Sequence, residues 1–417
     1  MTFGRVALRR MVVDACDGPF GSALKTEHYT EDGARVVRLG NIGSGAWLDS
    51  DAVFIDPNYW ATLAPHHAVA GDLIIAGLGD EGHPVGRACV LPDVGPALVK
   101  ADCYRLRLDP EKTDARFMAR YLSSAVGSGE AARLADGSTR SRLTLAKALA
   151  IQVPDCTLHL QCAIADYLDA ETARIDALVR AREATIPLLW ERYWAAVDAA
   201  MRDLDRPEPL SRHCLSMTDG PFGSSLTSAH YALDEDGARV IRLGNIGRAV
   251  FEDEDRAFIL WRHFALLTKH GAVADDLVVA GLGDESNPLG RACVVPEDLG
   301  PTIVKADCFR FRLNQQRLLP AYAALFLSSA TGGKLMQELA RGSTRQRANL
   351  GAVASVRVPA PPIERQREAV DMFNVRRAVT ARAAGAMQSQ VDLLLERRQA
   401  LITAAVTGQL EIPGVAA

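Results

Sequence analysis

Six motifs from the first half of the chain return in the second half in the same order, and no other feature restricts the fold as much. DGPFGS stands at Asp17–Ser22 and again at Asp219–Ser224. DGARVVRLGNIG (Asp32–Gly43) returns as DGARVIRLGNIG (Asp236–Gly247), and LIIAGLGDEGHPVGRACVLP (Leu73–Pro92) returns as LVVAGLGDESNPLGRACVVP (Leu277–Pro296). LVKADCYRLRL (Leu98–Leu108) matches IVKADCFRFRL (Ile303–Leu313), YLSSA at Tyr121 matches FLSSA at Phe326, and GSTR at Gly137 matches GSTR at Gly342. The offset drifts only from 202 through 204 to 205 residues, so two short insertions separate the copies. A repeat on this scale means one structural unit written twice. The 417 residues supply ample material for two or more cores.

Each copy has the same internal order. Short strands come first (Val36–Leu39, Val53–Ile55, Leu73–Ala76, Arg87–Leu91 and Cys103–Leu108), broken by Gly, Asp and Pro turns. A helix around Ala115–Ser124 and a polar Gly-Ser-Thr-Arg turn follow. The copy ends in a long segment, Leu158–Asp203, which contains no glycine and one proline, Pro187. Ile164, Leu168, Ile175, Leu178, Ile186, Leu189, Tyr193 and Val197 fall on one side of a 3.6-residue helix. At about 1.5 Å per residue such a helix runs roughly 70 Å and needs a partner along its length. Ile363–Gln409, which closes the second copy, is the natural one. Pro362 stands where the first helical turn tolerates proline, and Gly408 followed by Pro413 marks the end. The expected class is α+β: two repeated domains with small mixed sheets and helices, separated by two long helices. If those helices pair as an antiparallel coiled coil, a pseudo-two-fold axis relates the halves. The expected boundaries are 1–152, 153–204, 205–357 and 358–417, with DRPEPLS (Asp205–Ser211) as the junction.

A formal net charge of −4 excludes a blanket attraction to polyanions and leaves local basic patches open. The eight cysteines are scattered with no CxxC pair, which argues against a zinc site or disulfide framework and fits a reducing cytoplasm. No run approaches eighteen apolar residues, and the N-terminus lacks a signal-peptide core, so neither secretion nor a membrane span is expected.

The ordered repeat, with LLLERRQALITAAVTGQLE (Leu393–Glu411), LLWERYWAAVDAA (Leu188–Ala200), ADYLDAETARIDALV (Ala165–Val179) and the GDL, GRA and GSTR elements, resembles the specificity subunit of type I restriction-modification systems over essentially the whole chain. The resemblance implies two target-recognition domains, each followed by a helix of an antiparallel coiled coil. It also implies a non-catalytic phage-defence subunit that reads double-stranded DNA and docks two methyltransferase subunits and the restriction subunits. S-adenosylmethionine, ATP and Mg²⁺ would belong to those partners, leaving this chain without a cofactor. One departure is visible: the YLDAETARID pattern of the first long helix is lost from REAVDMFNVRRAVTARAAG (Arg367–Gly385). The chain also contains no NPPY-like tetrapeptide, no glycine-rich cofactor loop after a strand and no Walker A lysine.

For phosphate contact the candidates are Arg133, Arg140, Arg142 and Lys147 with Ser138 and Thr139. In the second copy they are Lys334, Arg341, Arg345 and Arg347 with Ser343 and Thr344. Glycine-turn N–H groups, hydroxyls and arginines are what grip phosphate oxygens; the plainer alternative is a solvated surface turn. Arg38, Asn41, Arg242 and Asn245 lie in or beside the RLGNIG turns and could pair with guanine or adenine, or simply build the turn. Lys25, Arg87 and Arg291 are similar candidates. Arg105 and Arg107, like Arg310 and Arg312, alternate along a strand on either a DNA face or a solvated one. His28 and His230 are expected to be structural. Asp80, Glu81 and Lys100, repeated as Asp284, Glu285 and Lys305, form an acid–acid–lysine set that a nuclease could use, though Gly-Asp-Glu also suits a plain loop.

The expected function is recognition of a bipartite target, one half-site per domain, with an unread gap set by the helices. Because the copies are so alike, the half-sites should be similar and inverted. Ser44–Ala70 against Arg248–Ala274, and Val126–Asp136 against Thr331–Arg341, are the windows able to break that symmetry. The alternatives are a solitary DNA-binding scaffold without partners, or a Mg-dependent nuclease.

Overall fold

The computed structural model describes residues 3–20, 23–137, 140–202, 207–232, 236–340 and 346–412. It divides into two compact units, Met1–Glu183 with Ser389–Ala417, and Ala184–Gln388. Each long helix therefore gives its first half to one unit and its second half to the other.

In unit 1 an antiparallel sheet runs in the order Val12–Cys16, Cys103–Leu108, Leu73–Ala76, Ala88–Val90. A second sheet is mixed: Ala34–Val37 lies parallel to Ala97–Val99, while Phe54–Ile55 and His67–Ala68 join antiparallel. Unit 2 repeats both sheets, with Cys214–Thr218, Cys308–Leu313, Leu277–Ala280 and Ala292–Val294 in the first. Phe258–Ile259, Ala238–Ile241, Thr302–Val304 and Gly271–Ala272 make the second. The central strands LIIA and LVVA are buried on both faces, which explains their unbroken aliphatic runs.

The expected strand at Val36–Leu39 ends at Val37, because Leu39–Asn41 winds into a 3-10 turn. The helix expected to Ser124 spans Ala115–Leu122 and stops at the repeated Leu-Ser-Ser-Ala. Ser124 and Ser329 cap the next helices, Ala125–Leu134 and Ala330–Glu338, by accepting from the N–H groups of Gly127 and Gly332. Those glycines leave no room for a side chain: a Cβ would lie 2.2 Å from the Tyr121 carbonyl oxygen and 2.1 Å from that of Phe326. Ser123 and Ser328 bond the backbone of Ala88 and Ala292 on the neighbouring strand. The repeated LSSA is a structural device.

The first long helix, Leu158–Arg202, continues through Pro187. The second spans Ile363–Val406 and closes as Gly408 adopts φ +76° while the Gln409 N–H reaches back to the Ala404 carbonyl at 2.8 Å. Within each unit the two helices pack antiparallel. In unit 1, Ile175 and Val179 pack on Val391, Asp176 pairs with Arg398 at 2.8 Å, and Arg182 donates to Gln390 at 2.8 Å. In unit 2, the Tyr193 and Phe373 rings meet edge to face at 6.2 Å. A fully buried glutamine ties each long helix's start to the connection that precedes the shorter helix Ala115–Leu122 or Pro320–Leu327. Gln161 accepts from Thr113 and the Asp114 N–H and donates to the Lys112 and Cys156 carbonyls. Gln366 accepts from the Leu319 N–H and donates to the Arg317 and Pro361 carbonyls. No helix of the described residues is long and apolar enough to cross a membrane.

Candidate nucleic-acid interface

The repeated motifs are distant in sequence, but the fold gathers them. Arg87 is the fastener. It is 5 % exposed and donates through Nε to the Ile42 carbonyl (2.8 Å) and through Nη2 to Leu39 (3.0 Å). Its Nη1 serves Leu78 and Pro84, both at 3.1 Å. One buried guanidinium thus ties the RLGNIG loop to the GLGDEGHP loop. Arg291 repeats the arrangement on Ile246 (2.7 Å), Leu243 (3.0 Å), Leu282 and Pro288 (both 3.2 Å). Burial draws the pKa of both arginines down from the ordinary value, yet neutral acceptors on every side keep them useful as cations.

The third loop joins by strand pairing. Ser141–Arg142, just after the GSTR turn, pairs antiparallel with Leu78–Gly79, and Gln346–Arg347 pairs with Leu282–Gly283. The fourth repeated motif abuts the same edge. Gly18 and Gly220 press against the backbone of Lys100–Ala101 and Lys305–Ala306, where a Cβ would lie 2.0 and 1.9 Å from a carbonyl carbon. The Asp17 and Asp219 carbonyls meet ring nitrogens of His66 (2.6 Å) and His270 (2.5 Å). In unit 2 the Arg347 guanidinium lies 5.8 Å from the Phe222 ring centroid. In unit 1 the loops enclose an open cleft of about 370 Å³, lined by Leu39, Leu48, Leu78, Asp80, His83 and Arg140 among others.

Several candidates have other work in this frame. Arg87 and Arg291 spend N–H groups on loop carbonyls, so they build the loop frame. Asn41 and Asn245 are buried: each accepts from the backbone N–H of Arg38 or Arg242 (2.9 Å) and donates to loop carbonyls. Adenine cannot reach them without dismantling the turn. Arg38 and Arg242 pair with Asp51 and Asp255. Arg105 and Arg310 are inside, Arg105 on Asp14 (2.6 Å) and Arg310 on Ser216 Oγ (2.6 Å). Arg107 and Arg312 chelate the buried carboxylates of Asp72 and Asp276. The strand arginines are structural ion pairs on the sheet.

Among the candidate cations, Lys25, Arg133, Arg140, Arg142, Lys334 and Arg347 are exposed. Arg142 pairs with Asp102 at 2.9 Å and Arg347 with Asp307 at 2.8 Å, while Lys25 stands 3.7 Å from Glu27. Arg133 and Lys147 pair with Glu130 and Asp136, and Lys334 is exposed. Ser138, Thr139, Arg341, Ser343, Thr344 and Arg345 lie outside the described residues.

The acid–acid–lysine set comes apart. The Asp80 carboxylate accepts from the Gly82 and His83 N–H groups, and the His83 ring and those N–H groups lower its pKa. Asp284 does the same with Ser286 and Asn287. Lys100 and Lys305 stand 5.7 Å from the Tyr29 and Tyr231 ring centroids. Among the described residues no group of three potential ligands could hold a metal ion. His28 and His230 are structural as expected, each accepting through Nδ1 from the N–H of Lys25 (3.1 Å) or Thr227 (3.0 Å). Burial pushes the Cys89 and Cys308 thiols up to about 12, far from nucleophilic use. His83, exposed on the cleft rim, is a surface residue that sequence reasoning overlooked; only its loop position between two repeated glycines pointed to it.

No protein-family model matches the sequence, and no curated protein does either. Solved structures do match. A chain from a structural study of complex assembly and conformational transition of the type I R-M system aligns over 98% of both chains, with a TM-score of 0.72 and 15% identity. The HsdS subunit from Thermoanaerobacter tengcongensis aligns over 98% of this chain and 97% of its own, with a TM-score of 0.53 and 14% identity. The fold is that of a type I specificity subunit. Two repeated mixed-sheet units and two long helices were expected on that resemblance, and both are present.

Proposed function

We propose that the chain is the DNA-reading specificity subunit of a type I restriction-modification complex. The observation that carries this reading is the convergence of four repeated loops on one edge of each unit, two of them tied together by an equivalent buried arginine in both. A rigid loop cluster carrying exposed Arg140 and Arg142 in unit 1 and exposed Arg347 in unit 2 suits one half-site per unit. The ion pairs on Arg142 and Arg347 are surface pairs worth at most about 1 kcal/mol each, so phosphate oxygens can displace the carboxylates. The paired long helices then fix the gap between half-sites.

No catalytic role falls to this chain. Methyl transfer and cleavage belong to methyltransferase and restriction partners, which bring S-adenosylmethionine, ATP and Mg²⁺. The loss of YLDAETARID from the second helix has a local cause that bears on docking. Asp169 binds Arg116 and Arg120, Thr172 accepts from Arg120, and Asp176 holds Arg398, so this pattern serves unit 1 internally.

Co-expression with a type I methyltransferase subunit and mapping of methylated adenines tests the reading. The expected result is a bipartite consensus with a constant gap. Methylation without such a consensus, or failure to co-purify with any methyltransferase subunit, would sink it. Arg140→Ala should weaken binding to all duplexes alike and reduce the salt slope by about one; a loss confined to one base position would make Arg140 a base reader.

A further inference from the structure

The two loop frames share most of their hydrogen bonds. The N–H of Leu48 bonds the Asn41 carbonyl at 2.9 Å, and that of Glu252 bonds the Asn245 carbonyl at 2.9 Å. Asn41 donates to the Leu48 carbonyl at 3.1 Å, and Asn245 to that of Glu252 at 2.8 Å. In the neighbouring loop, Asp80 takes the His83 N–H at 2.9 Å, while Asp284 takes that of Asn287 at 2.8 Å. These bonds place Leu48 opposite Glu252 and His83 opposite Asn287 with the same backbone beneath them.

Across the repeat, every other residue lining the unit 1 cleft is unchanged in sequence. Leu39, Leu78, Asp80 and Arg140 become Leu243, Leu282, Asp284 and Arg345, and Arg87 becomes Arg291. Leu48 and His83 alone change. Both are exposed, as are Glu252 and Asn287, so neither swap answers a packing demand. The chemistry of each swap is large. Leu48 offers apolar contact, which suits a thymine methyl; the Glu252 carboxylate accepts from the cytosine amino group and is repelled by the guanine acceptors O6 and N7. Asn287 can donate to and accept from adenine, whereas the His83 ring, its Nδ1 held on Asp80 at 3.1 Å, offers its Nε2 edge in a different geometry.

Resting on the proposed DNA-reading function, we infer that Leu48/Glu252 and His83/Asn287 are the specificity-determining pairs of this chain. The target is then an inverted repeat whose halves differ at the base pairs facing these residues. The symmetry-breaking windows expected from sequence thereby narrow to a single residue, and His83/Asn287 lies outside them.

Selection from a random-sequence duplex library, using the full chain assembled with its methyltransferase partner, tests the inference. The wild type should select two half-sites that agree except at one or two positions. The double variant Leu48→Glu with His83→Asn should select a perfect inverted repeat, discriminating against the old unit 1 half-site by roughly tenfold or more. The reciprocal variant, Glu252→Leu with Asn287→His, should give the other perfect repeat and guards against a folding defect in the first. If both variants keep the wild-type half-sites, or the wild type selects unrelated ones, the inference is overturned while DNA reading stands. If the wild type selects no consensus, both fall together.

Discussion

The helix crossings of the two units occupy equivalent positions and are built differently. In unit 1 polar pairs surround the apolar contact of Ile175 and Val179 with Val391: Asp176 pairs with Arg398, Gln399 reaches toward Ser123, and Asp169 and Thr172 clasp Arg116 and Arg120. At the corresponding places unit 2 has Tyr193, Trp194, Asn374, Arg377, Ala321 and Leu325. There Tyr193 packs on Phe373, Arg248 lies 4.0 Å from the Trp194 ring centroid, and Arg377 lies 5.7 Å from that of Trp190. Burial lowers the pKa of Arg248, with Arg377 adding to the effect, yet the aromatic faces accommodate both guanidinium groups. The loop frames, by contrast, share most of their hydrogen bonds, including all those of Arg87 and Arg291. A crossing has only to hold, so it tolerates two solutions; the loop edge is kept in one geometry in both units, as the proposed reading of DNA would require.

That contrast can be broken or sharpened by measurement. The largest effect is expected at the shared frame. Arg87→Ala and Arg291→Ala each strand several carbonyls and should cost about 3 kcal/mol or more, by equal amounts in their own units. Hydrogen exchange resolved by unit would show it, and a clear inequality would mean the frames are not equivalent. The crossings should behave differently from each other. Phe373→Ala removes a fully buried ring and should cost unit 2 about 3 kcal/mol, independent of salt. Arg398→Ala should cost unit 1 about 1 kcal/mol, less as salt rises, because the pair is partly exposed. Equal salt dependence in both units would contradict the assignment.

A smaller change concerns the helix interiors. Gly385 stands where the first helix has Arg180, and a Cβ there would meet no atom within 4 Å. Gly385→Ala should stabilise the second helix by up to about 1 kcal/mol, read by denaturant unfolding.

The smallest is a pH slope. His213, buried where unit 1 has Met11, sits 3.7 Å from Glu208. Burial holds its pKa below the ordinary 6.5, with Arg317 and Arg212 reinforcing and Glu208 opposing. Between the lowered folded value and 6.5 the unfolded chain binds more protons, so unit 2 loses stability as pH falls through that window and levels off below it. His213→Met should flatten the slope; an unchanged slope in urea unfolding would assign it elsewhere.

Much of this was legible in the chain. The repeat, the α+β class and the two long helices follow from periodicity and recurrence, while the antiparallel pairing was expected from the family resemblance. The strand and helix ends shifted by a few residues where caps intervened, as at Ser123–Ser124 and Leu39–Asn41. What could not be read was which arginines face outward. Arg87, Arg105 and Arg140 look alike in one dimension. Only the tertiary structure decides that Arg87 meets a ring of backbone carbonyls, that Arg105 finds Asp14 across a strand, and that Arg140 is left at the surface. The reason is physical. A buried guanidinium is tolerable only where the folded chain brings enough acceptors around it, and those acceptors come from loops some fifty residues apart, whose meeting no local pattern records.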